Sequence, residues 1–156
     1  MIIKPADLIL VRGTGWISEA IEDVTKSPYS HVAIVIKPNE IIEAEGFRRT
    51  GYQGLDVYRG RADVYTCDEA TDQQRQQIVD YLTKEVGTHY CYPLLFWEYF
   101  RYKTGIQLPF DPGPYNRICS YLATDAYTKN GLNLWPRIRF PTPGDVPKPL
   151  RLVGSL

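Results

Sequence analysis

The chain has 156 residues, 44% of them apolar, and balances 18 basic against 18 acidic side chains. That length suits one domain over residues 1–156, able to bury roughly 68–70% of its unfolded surface without metal or disulfide support. The even charge, with no run of one sign, argues against a nucleic-acid binder. No stretch approaches the roughly 18 apolar residues that a bilayer span needs.

The opening Met1-Ile2-Ile3-Lys4-Pro5 has no apolar leader core. The expected setting is cytoplasmic or phage- or virion-associated, with the oligomeric state left open. Cys67, Cys91 and Cys119 are an odd number without a Cys-x-x-Cys pair. That disfavours a disulfide framework and a structural zinc site, and no cofactor is expected.

In chain order, Ala6–Val11 is an apolar run of strand length. Gly13-Thr14-Gly15 breaks it, a turn of the kind that can hold an anion before a helix. Trp16–Lys26 has helical apolar spacing and stops at Ser27-Pro28. His31–Ile36 is the clearest strand, and Lys37-Pro38-Asn39 turns it into a return strand, Glu40–Ala44. Gly46 and Gly51 mark a loop. Leu55–Tyr58 and Ala62–Tyr65 alternate as two further strands. Thr71 caps an amphipathic helix that begins at Asp72 and ends at Gly87. Tyr92–Tyr102 is an aromatic helix stopped by Gly105, followed by a Pro109–Pro114 loop. Asn116 is placed to cap a last helix, Arg117–Lys129, and the proline-rich tail reads as mostly extended. Strands come first and helices after, so the class is α+β.

Cys119 falls near the start of that last helix, where the first-turn amides and the helix dipole stabilise a thiolate. It is expected to be the one accessible, activated cysteine. A nucleophilic thiolate needs a base in hydrogen-bond reach, and the chain has two histidines, His31 and His89. His31 opens the strongest strand, as either a core-edge residue or a cleft residue. His89 follows a helix end, where a solvated capping role is the simpler account. A catalytic imidazole also needs an orienting group. Glu43 sits on the partner strand as a cross-strand neighbour of His31, and Glu45 shares its face and competes with it.

The segments Ser30-His31-Val32-Ala33-Ile34, Ile42-Glu43-Ala44, Gly87-Thr88-His89-Tyr90 and Ile118-Cys119-Ser120 resemble, in this order, the motifs of the circularly permuted NlpC-type papain-fold proteins, the YiiX/YebB-like group. The resemblance spans about residues 5–146. It implies a permuted papain-like α+β fold, with an antiparallel sheet packed on helices and the nucleophile at a helix N-terminus. It also implies a Cys119–His31–Glu43 triad, with Tyr90 helping to bind the oxyanion. Cys91 stands where the family has an acidic residue after that tyrosine, and Tyr121 follows Cys119-Ser120 in place of a glutamate. The implied activity is that of a thiol peptidase or amidase on cell-wall peptide, peptidoglycan. An acyl-ester lipid hydrolase or transferase uses the same chemistry. A papain-like binding module without turnover, such as a phage or virion component, is the alternative.

Overall fold

The computed structural model describes residues 1–13, 16–46, 48–106, 113 and 116–156. Its centre is a six-stranded antiparallel sheet in the order β4-β3-β2-β1-β5-β8. The strands are β1 (Leu8–Val11), β2 (His31–Lys37), β3 (Glu40–Glu43), β4 (Gly51–Gly54), β5 (Ala62–Thr66) and β8 (Arg151–Ser155). Among the described residues four helices accompany it: α1 (Trp16–Thr25), α2 (Asp72–Glu85), α3 (Tyr92–Thr104) and α4 (Cys119–Lys129). A short parallel pair, β6 (His89–Tyr90) with β7 (Asn116–Arg117), completes the set. The class is α+β, as the segregation of strands and helices predicts. No helix among the described residues is long and apolar enough to cross a membrane.

β1 is apolar throughout because both of its faces are covered. On one face Leu8, Leu10, Val32, Ile34 and Ile42 pack with Ile78 and Leu82 of α2 and Leu122, Ala126 and Tyr127 of α4. On the other, Ile9, Val11, Ala33, Val35 and Ile41 pack with Leu55, Tyr58 and Val64. Strand alternation assigns His31 and Glu43 to this second face, in line with Ala33 and Ile41. α4 lies across β2, which brings the start of the helix to the start of the strand.

Several sequence expectations need correction. Gly51, expected to mark a loop with Gly46, instead opens the edge strand β4, paired with β3 from Glu40↔Gly54 to Glu43↔Gly51. Leu55–Tyr58, expected as a strand, is a 3₁₀ turn. With three residues per turn, Leu55 and Tyr58 both face inward while Val57 is exposed, a pattern that alternation misreads. Asn116 does not cap α4. It pairs with His89 in β7, the helix starts two residues later than expected, and Ile118 occupies the capping position. The tail, expected as mostly extended, runs in turns over residues 143–149, and only Arg151–Ser155 is extended, closing the sheet as β8 beside β5. Of the expected Pro109–Pro114 loop, residues 109–112 and 114 lie outside the described residues, as do 14 and 15 of the Gly13 turn.

Two other helix signals hold. Thr71 and Gln74 form a reciprocal capping box at the start of α2. Gly105 ends α3 in the left-handed conformation, at φ 71°, a value that glycine adopts without penalty.

Candidate active site

His31 opens β2 and Glu43 ends β3. Glu43 lies directly opposite Ala33, so it meets His31 on the diagonal of the ladder rather than straight across. The side chains close that gap: His31 Nε2 is 2.8 Å from Glu43 Oε2. A carboxylate only accepts, so Nε2 carries the hydrogen and Nδ1 is left for another partner. Cys119 lies near enough to the same ring to act on its charge. Glu45, the competing carboxylate, lies past the strand end beside Arg48, at 3.7 Å.

The Tyr58 hydroxyl donates to the same Glu43 oxygen at 2.7 Å. This contact escaped sequence reasoning, because the 3₁₀ turn that aims Tyr58 inward was read as a strand. The signal available was the apolar pair at i, i+3, Leu55 and Tyr58.

The electrostatics follow from the geometry. Burial opposes charge on His31, but the Cys119 sulfur and the Glu43 carboxylate outweigh it and push its pKa up to about 10. Burial likewise opposes charge on Glu43. The hydrogen bonds and charge of His31, the Tyr58 hydroxyl and Arg48 prevail, and its pKa is lowered. Burial and the neighbouring Glu43 raise the Tyr58 phenol, which therefore remains a donor. The imidazole thus holds its proton at neutral pH beside the Glu43 carboxylate and the Cys119 sulfur.

Cys119 is the first residue of α4. Ile118 provides no side-chain cap, so no capping group competes for the first-turn amides, which have no intrahelical acceptor. Cys119 was expected to be the accessible cysteine, yet it is 5% exposed, close to Cys67 at 3% and Cys91 at 4%. What distinguishes it is His31 and the helix terminus. Tyr90 is half-buried in β6, opposite Arg117 and two residues upstream of Cys119 in the paired strand. Its ring stacks edge-on against Tyr92 at 5.0 Å and packs against the clusters that hold Cys119 and Ile118. His89 is exposed in β6, opposite Asn116.

A cavity of about 520 Å³ opens beside His31 and Glu43, walled by Val11, Ser30, Tyr58 and Arg61. Among the described residues, no three His, Cys, Asp or Glu side chains converge to hold a metal ion.

With this geometry in view, the comparisons with known proteins divide sharply. No family model matches the chain, and no curated protein sequence matches it. A solved structure does: the metalloprotein yiiX from Escherichia coli O157:H7, DUF1105. The two superpose with a TM-score of 0.58 over 98% of this chain and 97% of that one, at 16% identity. The fold is YiiX-like. At that identity the likeness speaks for the fold alone. The YiiX-like sheet and helices carry the His31–Glu43 pair and the α4 terminus described above, and the metal named for yiiX has no corresponding donor cluster among this chain's described residues.

Proposed function

We propose that the protein is a cysteine hydrolase built as a permuted papain-like domain, cleaving an amide or ester through an acyl-cysteine. The observation that carries this reading is the imidazole of His31 held between Glu43 and a cysteine at the first position of a helix. A structural cysteine needs neither a charged histidine nor a helix terminus.

In the proposed cycle the Cys119 sulfur attacks the carbonyl carbon, forming a C–S bond as the carbonyl π pair moves to oxygen. The amide of Cys119, with Tyr90 nearby, steadies that oxyanion. Collapse of the tetrahedral adduct expels the amine or alcohol, which takes the proton from His31 Nδ1. Water then enters, gives a proton back to Nδ1 and attacks the thioester carbon, releasing the acid and the thiolate. Glu43 keeps the ring turned toward sulfur, and Tyr58 keeps Glu43 turned toward the ring. The family resemblance makes cell-wall peptide the leading substrate, with acyl esters of lipid type as the second class.

Product analysis tests this. Incubation with muropeptides and, separately, with acyl-ester lipids is expected to give a cleaved product from one class. That product should vanish with Cys119→Ala. Turnover persisting in Cys119→Ala would contradict the assignment.

A further inference from the structure

The cavity beside His31 and Glu43 holds more polar chemistry than the triad uses. Ser30 precedes His31, is 6% exposed, and lines the cavity. Its backbone N–H donates to Val11 O at 3.0 Å. Its hydroxyl has no hydrogen-bond partner among the described residues. A buried hydroxyl without a partner is costly, so an orphan in the wall of a cavity is a candidate donor to a ligand.

Arg61 supplies a second, independent observation. It lines the same cavity, and among the described residues no carboxylate lies within ion-pair distance of it. Its guanidinium donates to Val57 O at 3.3 Å and lies over the Tyr58 ring at 5.2 Å. The other charges around the space are already matched. Arg48 faces Glu45, and Glu43 is engaged by His31 and Tyr58. Arg61 therefore leaves a positive balance at the cavity wall.

The sheet brings the two groups to one end. Val11 is opposite both His31 and Ala62, and Arg12 N–H donates to Arg61 O at 2.9 Å. Ser30 and Arg61 thus flank β1 at the same level, two strand spacings or about 10 Å apart. A multi-atom group spans that distance with the reach of an arginine. Ser18 and Ser30 pack directly against Gly13, where a Cβ would collide with both side chains. The Gly13 amide donates to Glu22 Oε1 at 3.0 Å and is not free for an anion.

We propose that this cavity binds an oxyanion group, a carboxylate or phosphate carried by the substrate, with Arg61 as counter-charge and Ser30 Oγ as hydrogen-bond donor. Calling the anion part of the substrate rests on the hydrolase reading. The binding itself does not.

The test is NMR titration of the ¹⁵N-labelled full chain with inorganic phosphate and, separately, with N-acetylglutamate. Saturable shifts are expected at the Ser30 amide and the Arg61 Nε. Arg61→Gln should weaken binding at least about tenfold, the loss of one charge-assisted hydrogen bond. Ser30→Ala should weaken it measurably without lowering thermal stability, since that hydroxyl holds nothing in the protein. Arg59→Gln, paired with Asp56 and away from this cavity, is the unaffected control. Saturation by phosphate alone identifies a phosphorylated source such as a lipid headgroup, and by N-acetylglutamate alone an acidic peptide. Shifts from neither probe, or equal affinity in Ser30→Ala and wild type, would overturn the proposal. If Arg61→Gln fails to fold, the Ser30 variant decides. Absent binding in a chain that still acylates Cys119 removes this site and leaves the hydrolase. Binding without acylation does the reverse.

Discussion

At the scale of single residues, the account turns on which side chains act on His31. Glu43→Gln keeps the shape and one hydrogen bond but removes the charge that orients the ring. Turnover of the cleaved substrate should fall, yet by about two orders of magnitude less than in Cys119→Ala. Glu45→Gln should change little, because its neighbour is Arg48 rather than His31. A large loss in Glu45→Gln with an unaffected Glu43→Gln would move the orienting role by two residues. The pH response follows from the same contacts. The folded-state pKa of His31 is raised from 6.5 to about 10, so its stabilising charge is fully present below 6.5 and is lost as pH rises through about 10. That of Glu43 is lowered from 4.5, so its share is present above 4.5 and is lost on further acidification. Their joint contribution is greatest between about 4.5 and 6.5. Ring-proton NMR should find His31 still charged at pH 8 and should find its midpoint lowered in Glu43→Gln. A midpoint near 6.5 in wild type would show that the ring stands free of both partners.

At the scale of elements, the hairpin that carries His31 and Glu43 was legible, since a β-branched run, a Lys37-Pro38-Asn39 turn and a second apolar run leave little choice. The start of α4 was not. Asn116 reads as a cap, and tertiary pairing with His89 overrides that preference. The true anchor is Arg117, buried at 3%, whose Nε lies 2.8 Å from Glu85 at the end of α2. Its guanidinium also approaches Asp125 of α4 at 4.0 Å. This ion pair fixes the strand that delivers Cys119, and no local sequence pattern announces it. Arg117→Met should cost roughly 3 kcal/mol, because Glu85 is left without its guanidinium in a half-dry site. Chemical denaturation measures it, and a change below about 0.5 kcal/mol, typical of a surface substitution, would show the pair to be dispensable.

At the scale of the whole molecule, the order of strands and helices gave the α+β class, but not how the ends of the chain are tied together. Arg75 illustrates why. Within a helix beginning Asp72-Gln73-Gln74 it reads as one more solvated side chain. In the structure it is 6% exposed and reaches Asp7, Pro5 O, Thr66 and Cys67 O, joining α2 to the entry of β1 and the exit of β5. The edge strand β8 was hidden for a related reason: Arg151–Ser155 follows a proline-rich tail and is a strand through its partner β5. The candidate site was legible where local rules govern it, in Cys119, His31 and Glu43. Tyr58, Ser30 and Arg61 join it through the turn and ladder geometry that brings distant segments together.

The central claim is that Cys119 is a nucleophile driven by His31. Intact-protein and peptide mass spectrometry after brief exposure to p-nitrophenyl acetate tests it most directly. One acetyl group per chain is expected, located on Cys119, formed far more slowly in His31→Ala and absent in Cys119→Ala. Acetylation spread equally over Cys67, Cys91 and Cys119, or labelling of Cys119 at an unchanged rate in His31→Ala, would contradict it.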